Sequence, residues 1–299
     1  MSFGMWADER HGGESRMGPD QNSWTEWVES GRWLEVRETV LPMNPLLADA
    51  AMSLAVDPDV SVHRIVRLVS KEQVLATRVL RLANSASCAP VRPITTINEA
   101  AVRVGTYAVC SAMLAACVTA RLEAAAAYGE AGRDLLDHSI GTAYMAELVA
   151  SRVDVDPNEA LVCGLLHDIG KLAVLQLSGE GSGYTGPAPT RFEIAEVMRE
   201  RHALIGSQLL RGWRLPDCLR EPVLYHHRPE LSMLFTEHTL VVYVANRLSH
   251  RYGFGCEPEG HVDLLSDPWV AELGLDERWL AETDRRAPDR FAAARSLTA

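Results

Sequence analysis

The apolar residues of this 299-residue chain recur at helical spacing from about residue 41 onward, and this periodicity limits the possible folds more than any other feature. Helix-start signals accompany it: Thr96 precedes Glu99, and Thr190 precedes Glu193, at the spacing of a capping box. No segment shows a convincing two-residue alternation of apolar and polar residues between turn signals. The sequence therefore predicts an all-α fold.

Changes in composition divide the chain into segments. Residues 1–22 are rich in Gly, Met and charge and lack periodicity, so a disordered leader is expected. A polar, Gly-bearing stretch near 122–133 predicts a boundary between two helical subdomains of about 90 and about 160 residues. The predicted segments are, in order, the leader (1–22), a Trp-rich segment (23–40), an N-terminal helical subdomain (41–125), a second helical subdomain (126–252), and a C-terminal region (253–299) with one helix near 268–282 and a loose tail.

Three local signals give more detail in the second half. Asp156-Pro157-x-Glu159 combines a cap, a proline at the first helical position and an acid in the first turn, so a helix is expected to begin there. Gly170 is expected to end that helix or act as a hinge just beyond it. Pro222 lies inside another helical run and is expected to kink or split it.

Three tryptophans, Trp24, Trp27 and Trp33, lie among charges in the segment 23–40. This segment is interpreted as a short helix or a docking segment. Two alternatives remain for the indoles: a surface for a partner protein, because aromatic side chains anchor interfaces, or burial against helices of the same chain.

Composition excludes several classes of protein. Hydrophobic residues make up 47% of the chain and charged residues 23%, which is ordinary for a globular domain. The formal net charge of −11 disfavours general nucleic-acid binding. Six cysteines without a C-x-x-C pair indicate free thiols of a reducing compartment. The uncharged stretch between Arg103 and Arg121 is too short and too rich in small residues for a membrane span. A cytoplasmic protein without membrane contact is expected.

The doublet His167-Asp168 at the end of an apolar run is the first candidate for chemistry. Burying an unpaired carboxylate is costly, so a partner is required. A metal ion would supply one, because imidazole and carboxylate both ligate first-row metals. The alternative is a buried His–Asp hydrogen bond. Lys171, on the next turn, is interpreted as a phosphate contact or as a salt-bridge partner of Asp168.

At these residues the sequence resembles a known family. His138 followed by His167-Asp168 is similar to the pattern of the HD superfamily of helical metal-dependent phosphohydrolases. The first half resembles the HDOD domain, the HD-related output domain of bacterial signalling proteins, and the likeness covers roughly residues 35–285. The motifs that carry it are LPMNP (41–45), RLANSA (81–86), ITTINEA (94–100) and the HDIGK run (167–171). Within the second motif, Asn84 is interpreted as a structural cap or loop residue.

The resemblance implies a ligand order of His, His-Asp, His, His-His and a final Asp. This chain matches the order at His138, His167, Asp168, His202, His226 and His227, but Asn246 stands where the final Asp is expected. The amide is a weaker, neutral ligand, so one metal subsite should be weakened. The resemblance thus implies one or two divalent metals (Fe, Mn or Zn), with Asp168 and Lys171 as catalytic candidates if the protein is active. The Gly-Tyr-Pro motif of the cyclic-di-GMP phosphodiesterases is missing.

Each candidate ligand has a structural alternative. His138 would be a satisfied core histidine, His202 an exposed residue at a helix start, and Asn246 an amide that bonds to backbone in a site without metal. The pair His226-His227 is left open between metal ligation and a structural role.

Three functions are compatible with these residues. The first is a regulatory module that acts through a signalling protein partner, in connection with a nucleotide second messenger, without catalysis. The second is a metal-dependent phosphohydrolase acting on a nucleotide or cyclic nucleotide. The third is a sensor that binds a nucleotide or metal without turnover. The oligomeric state stays open.

Overall fold

The computed structural model describes residues 23–35, 80, 83–84, 92–180, 182–255 and 263–298. Within these ranges the regular structure consists of helices, with no strand, which confirms the predicted all-α class. The α-helices are α1 (Trp24–Glu29), α2 (Ile97–Val104), α3 (Thr106–Ala124), α4 (Glu130–Ala150), α5 (Pro157–Leu166), α6 (Ile169–Leu177), α7 (Arg191–Gly212), α8 (Asp217–Tyr225), α9 (Thr236–Tyr252), α10 (Pro268–Glu272) and α11 (Glu277–Thr298).

The helix starts that the sequence predicts at 157 and 191 are confirmed, and side-chain caps account for both. The Asp156 carboxylate accepts hydrogen bonds from the N–H groups of Asn158 and Glu159. At the start of α7, Thr190 and Glu193 form a reciprocal capping box. Both devices satisfy backbone donors that a helix start leaves without an internal partner.

Helix α4 contributes residues to both hydrophobic cores of the described structure. Leu135, Ile140 and Ala143 belong to a hydrophobic core that also contains residues of α1, α3 and α5–α8. Further along the same helix, Met145 and Val149 belong to a second core with residues of α9, α10 and α11. Because α4 contributes to both cores, residues near its middle lie where the two groups of helices meet.

The Trp-rich segment packs on the chain's own helices. Trp24, Trp27 and Trp33 are all buried. The Trp24 indole N–H donates to the carbonyl of Leu177, at the C-terminal end of α6, over 3.1 Å. The Trp27 ring lies 5.5 Å from that of Tyr184. Of the two alternatives for these indoles, burial is therefore the one observed.

Several expectations differ from the structure. Gly170 neither ends a helix nor forms a hinge: α5 already ends at Leu166, and Gly170 lies inside α6. The expected loose tail is helical from 277 to 298. The stretch 122–133 is not an extended linker, since a short 3-10 turn at Ala125–Tyr128 joins α3 to α4. Residues 1–22 and 41–79 lie outside the described residues, so the leader and the subdomain boundaries stay predictions.

Pro222 does not split α8, which continues from Asp217 to Tyr225. A proline has no N–H, so the carbonyl four residues earlier, that of Cys218, loses its usual helical donor. The Cys163 thiol of α5 donates to this carbonyl over 3.6 Å. The buried thiol therefore joins α5 to α8 at the point where the proline interrupts the helical ladder.

Within the described residues, one stretch, Pro157–Leu177, is long and apolar enough to cross a bilayer. It comprises α5 and α6, and 83% of its most apolar window is buried inside the protein. Burial of this kind is typical of core helices. The stretch 103–121 is not among the candidate spans of the described residues, and Val109, Met113, Leu114 and Val118 of α3 lie in the first core.

Candidate metal centre

Five parts of the fold bring the sequence-predicted residues to one place in the interior. His138 lies on α4, the pair His167-Asp168 joins α5 to α6, His202 lies on α7, His226 and His227 directly follow α8, and Asn246 lies on α9. The interpretation of His202 as an exposed residue is wrong, because its side chain is buried, as are those of His138, His167 and Asp168. His227 is the exposed member of the set.

Close backbone contacts at glycines make this convergence possible. A Cβ on Gly170 would overlap the carbonyl oxygen of His202, so α6 and α7 can approach this closely only with glycine at 170. At Gly164 a Cβ would lie 2.7 Å from the carbonyl oxygen of Thr142, which brings α5 against α4. Gly255, with φ of +65°, packs directly on the backbone of His138. Each contact lies beside a candidate ligand.

Backbone carbonyls fix the orientation of four imidazoles. The Nδ1–H group donates to Phe254 O in His138 (3.1 Å), to Gly164 O in His167 (2.7 Å), to Met198 O in His202 (2.5 Å) and to Val223 O in His226 (2.8 Å). A carbonyl can only accept, so Nδ1 carries the proton in each ring. In the neutral ring the lone pair is then on Nε2, as is usual in metal-binding histidines.

The Nε2 atoms face one another across very short distances. The Nε2 atoms of His138 and His167 are 3.3 Å apart. His202 Nε2 lies 3.3 Å from His226 Nε2 and 3.1 Å from His227 Nε2. In the pairs His138–His167 and His202–His226 both Nε2 atoms carry a lone pair, and at such distances two lone pairs repel unless a proton or a cation lies between them. The arrangement therefore fits a divalent cation better than a network of hydrogen bonds.

The carboxylate of Asp168 lies between the two sets of imidazoles. Its Oδ2 is 3.3 Å from His167 Nε2 and 2.6 Å from Lys171 Nζ, while its Oδ1 is 3.2 Å from His202 Nε2. Oδ1 is fully buried and accepts no hydrogen bond. A buried, unpaired anionic oxygen is costly. A cation bound by Asp168 Oδ1 and His202 Nε2 would remove this cost. The position of the carboxylate therefore also fits a bound metal ion.

The charge states follow from burial and from close neighbours. Burial lowers the pKa of His138 and His226 well below the usual value, and that of His202 to about 3. Burial would raise the pKa of Asp168, but the charges of His167 and Lys171 hold it well below its usual range. At neutral pH, His138, His202 and His226 are therefore neutral, Asp168 is ionised, and Lys171 is its salt-bridge partner.

Two groups of side chains could each hold a metal ion. The donor atoms of His138, His167 and Asp168 all lie within 4.8 Å of one another, and so do those of His202, His226 and His227. The Asp168 carboxylate lies between the two groups: its Oδ2 faces His167 and its Oδ1 faces His202. A donor set dominated by imidazole nitrogen favours a borderline divalent ion such as Zn or Fe.

The Asn246 amide contacts a side chain of the candidate site and not the backbone partner of its structural alternative. Its amide oxygen lies 3.0 Å from His138 Nε2. A half-turn of the amide puts the NH₂ group in the same position, and an amide orientation is assigned from its neighbours. In that orientation Asn246 donates to the lone pair of His138. An aspartate could not do so, because it is an acceptor only.

Sequence reasoning missed a sixth imidazole. The His250 ring lies 4.9 Å from that of His138, and the residue is half-buried at the end of α9. Its position four residues after Asn246 is the available sequence signal, because residues four apart share a helix face. Asn84, in contrast, has the structural role expected: its side chain bonds to both the N–H and the carbonyl of Ile94.

Comparisons with known proteins agree with this fold. A family model for the HDOD domain matches residues 41–229. An HDOD domain protein of unknown function from Geobacter sulfurreducens has a TM-score of 0.67 and 25% identity, over 90% of this chain and 99% of its own. A protein from Marinobacter aquaeolei, described as a signal transduction protein, has a TM-score of 0.63 over 95% of this chain and 67% of its own; at 16% identity it shows the fold alone.

Ribonuclease Y of Mycoplasma genitalium is a curated relative with 28% identity over 118 residues. The matched region is 40% of this chain but 19% of the relative. The chain therefore corresponds to a minor part of that protein's length.

Proposed function

The chain belongs to the HDOD domain family, and we propose that it is a regulatory module that holds divalent metal in the buried His/Asp site without hydrolysing a phosphoester. In this proposal the output passes to a signalling protein partner, in connection with a nucleotide second messenger. The acidic chain and the absence of a Lys/Arg block favour a cytoplasmic module that acts apart from nucleic acid and membranes.

The contact between Asn246 and His138 carries the proposal. At 3.0 Å, the Asn246 amide can donate to the lone pair on His138 Nε2. The imidazole of His138 therefore has a hydrogen-bond partner without a bound cation. An aspartate in the same place would need a cation or a proton between it and the imidazole. The substitution thus removes an anionic ligand and supplies a hydrogen bond in its place. Two-metal hydrolysis depends on a pair of strongly held ions, and this chain weakens one of the two positions.

The remaining residues would still hold metal. His202, His226 and His227 supply nitrogen, and Asp168 supplies oxygen to this group and to the group of His138 and His167. A bound divalent ion acts as a Lewis acid and lowers the pKa of bound water. The chain's own contribution is to fix the imidazoles through backbone carbonyls and to pair the carboxylate with Lys171.

A phosphoester panel tests the proposal. The protein is purified without chelator or affinity nickel, and metal is measured by elemental analysis. It is then incubated with bis(p-nitrophenyl) phosphate, a cyclic dinucleotide and a 2′,3′-cyclic nucleotide, each with Mn²⁺, Fe²⁺ or Zn²⁺. We expect bound metal that is lost in the double variant His167→Ala, Asp168→Ala, and no turnover above the metal-containing buffer. Turnover that disappears in Asp168→Ala would refute the proposal.

The second candidate is a metal-dependent phosphohydrolase of the HD superfamily. The observation that favours it is the preserved set of five imidazoles and Asp168, opened to solvent at the exposed His227. The similarity to ribonuclease Y, whose name describes a hydrolase, points the same way. Here Asp168 and Lys171 would have catalytic roles. The same panel distinguishes the two functions, and Asn246→Asp is expected to raise metal affinity under either.

A further inference from the structure

We propose that Leu231, Met233 and Leu234 form an apolar patch that docks a basic amphipathic helix of a partner protein. The three residues lie in the loop between α8 and α9. The inference rests on the proposed function, because it names the surface that the signalling partner contacts and the chemistry of that partner. It concerns the outside of the molecule and involves no metal ligand.

The clustering of exposed apolar side chains is the first observation. Leu231 is 41% exposed, Met233 87% and Leu234 74%. Single exposed apolar residues are normal on a soluble protein, whereas a group of them marks a site of interaction. The other large apolar side chains that are exposed among the described residues lie at scattered positions along the chain: Val102, Tyr128, Phe192, Leu204 and Leu265.

The loop places its polar side chains inward and its apolar side chains outward. Ser232, between Leu231 and Met233, is buried, and its hydroxyl group lies 2.9 Å from that of the buried Thr239. Burial of Met233 or Leu234 would stabilise the folded chain, because both side chains are large and apolar. Folding alone therefore favours the opposite arrangement, and the outward side chains are available to a partner.

Glu221, on α8, holds the loop in this conformation. Its Oε1 atom accepts a hydrogen bond from the Ser232 hydroxyl at 2.7 Å. The same oxygen accepts from the backbone N–H groups of residues 233–235, at 2.6, 2.9 and 3.3 Å. The backbone that carries the patch is thus ordered before a partner arrives, which lowers the entropic cost of binding.

The charges around the patch indicate which partner it fits. Residues 228–237, together with Glu221, contain one arginine and three glutamates. The arginine, Arg228, lies 3.5 Å from the carboxylate of Glu230, so its charge is already matched within the chain. Glu221 and the exposed Glu237 leave this region negative. A basic partner is attracted by this rim and by the net charge of −11 of the whole chain.

The same charges disfavour two other occupants. A second copy of this chain carries the same net charge of −11, and an anionic bilayer is negative as well, so both are repelled. A helix with leucines on one face and lysines at the borders of that face matches an apolar patch with an acidic rim. Met233 suits such a partner, because its flexible side chain adapts to the surface that it contacts.

The patch is joined to the metal centre through the chain itself. The loop begins directly after His226 and His227. The N–H group of Arg228 donates to the carbonyl of Tyr225 over 2.8 Å, so the first residue of the loop is fixed to the end of α8. A partner at the patch therefore contacts the segment that leads out of the His/Asp site.

Binding of a defined peptide tests the proposal. The probe is a fluorescein-labelled helical peptide of about 20 residues, with leucines on one face and lysines at the other positions. Its counterpart has glutamate in place of each lysine. The fluorescence anisotropy of each peptide is measured against the full chain at near-physiological salt. We expect saturable binding of the basic peptide, and binding of the acidic peptide that is weaker by about tenfold or more.

Variants of the chain locate the binding surface. The double variant Met233→Ser, Leu234→Ser should weaken binding of the basic peptide by about tenfold or more, because it removes the apolar anchors. Glu237→Gln should weaken binding by about threefold and reduce its salt dependence. Phe192→Ser is the matched control: this side chain is 73% exposed on α7, outside the patch, and the affinity should stay within about twofold. Thermal melts followed by circular dichroism show that each variant is folded.

Four results of the peptide titrations would overturn the assignment. They are no saturable binding of the basic peptide, equal binding of the two peptides, a double variant that keeps the wild-type affinity, and a loss in Phe192→Ser as large as that in the double variant.

Two further measurements address the other occupants. Sedimentation velocity reports self-association, and cosedimentation with vesicles of phosphatidylcholine and phosphatidylglycerol reports membrane binding. Self-association or vesicle binding that is lost in the double variant would assign the patch to a second copy or to a lipid surface instead. None of these results is metal content or phosphoester turnover, so failure of this inference and failure of the proposed function are separate findings.

Discussion

Gly170 lies directly against the main-chain carbonyl of His202, so that a single added methyl group would overlap that oxygen. This contact between α6 and α7 determines how closely Asp168, at the start of one helix, approaches His202, in the middle of the other. The distance that results, from Asp168 Oδ1 to His202 Nε2, is 3.2 Å. Because Gly170 has no side chain, α6 and α7 can pack closely enough to bring the Asp168 carboxylate against the His202 imidazole.

Gly170→Ala should destabilise the protein by about 2 kcal/mol or more, because the clash is with backbone and cannot be relieved by a side-chain rotation. Urea denaturation followed by circular dichroism measures the effect. Gly179→Ala is the control: its Cβ would lie 3.5 Å from the carbonyl of Gln176, an ordinary contact, and it should change the free energy of unfolding by less than about 0.5 kcal/mol. Equal stability of the two variants would contradict the close contact at Gly170.

Trp24→Phe should cost about 1 kcal/mol in the free energy of unfolding, since it removes the indole donor and leaves the buried carbonyl of Leu177 without that partner. Trp24→Ala should cost more, about 3–5 kcal/mol, because it also creates a cavity. Denaturant unfolding measures both. Phe192→Ala, at a side chain that is 73% exposed on α7, should be close to neutral. If Trp24→Ala is as mild as Phe192→Ala, the Trp-rich segment does not pack on the body of the protein in solution.

Acid should destabilise the metal-free protein below pH 6.5. Burial holds the pKa of His202 at about 3 against an ordinary value of 6.5, so between these values the unfolded chain binds a proton that the folded chain does not. The free energy of unfolding therefore falls as pH is lowered through this window, by about 1.4 kcal/mol per pH unit for each such histidine. The pKa values of His138 and His226 are lowered as well and should steepen the fall.

Urea titrations with a chelator at pH 7, 6 and 5 measure this dependence. In His202→Gln, the free energy of unfolding should depend less steeply on pH, because one proton fewer is taken up on unfolding. A protein that is equally stable at pH 5 and pH 7 would show that these imidazoles are not buried in the neutral form.

Glu221→Ala should loosen the loop between α8 and α9. One carboxylate oxygen of Glu221 accepts from the N–H groups of Met233, Leu234 and Phe235, at 2.6, 2.9 and 3.3 Å. Amide exchange at these three positions should become faster by about tenfold or more, because one acceptor protects all of them. Hydrogen-exchange mass spectrometry measures it, with Glu237→Ala, in the first turn of α9, as the control. Unchanged exchange would mean that other contacts fix the loop.

Local signals in the sequence were sufficient where a structural feature depends on neighbouring residues. Asp156 and Thr190 mark the starts of α5 and α7, because a cap acts within three residues of itself. The sequence was misleading at Gly170, where a residue that usually ends helices is retained for close packing. It was also misleading in the C-terminal region, where α11 continues to Thr298 despite a polar sequence and Pro288.

In the candidate site, too, some residues could be selected from the sequence and others only from the structure. Its seven residues could be selected from the sequence through a family pattern, and the structure brings them together. His250 could not be selected, since the pattern assigns it no role and its contact with His138 joins residues on two different helices. The outcome for the Trp-rich segment also required the structure, because an amphipathic aromatic helix has the same sequence whether it packs on its own chain or on a partner.

The sequence by itself determined the helices and the anchoring of three imidazoles. His167, His202 and His226 donate to carbonyls three or four residues earlier, which helical geometry supplies wherever such a residue lies. Tertiary structure alone decided the anchor of His138, a carbonyl 116 residues away, and the contacts of Asn246 and His250 with the same ring. The physical reason is range: caps and helical turns act over a few residues, whereas the charge balance of a buried site depends on which distant segments the packing brings within about 3 to 5 Å.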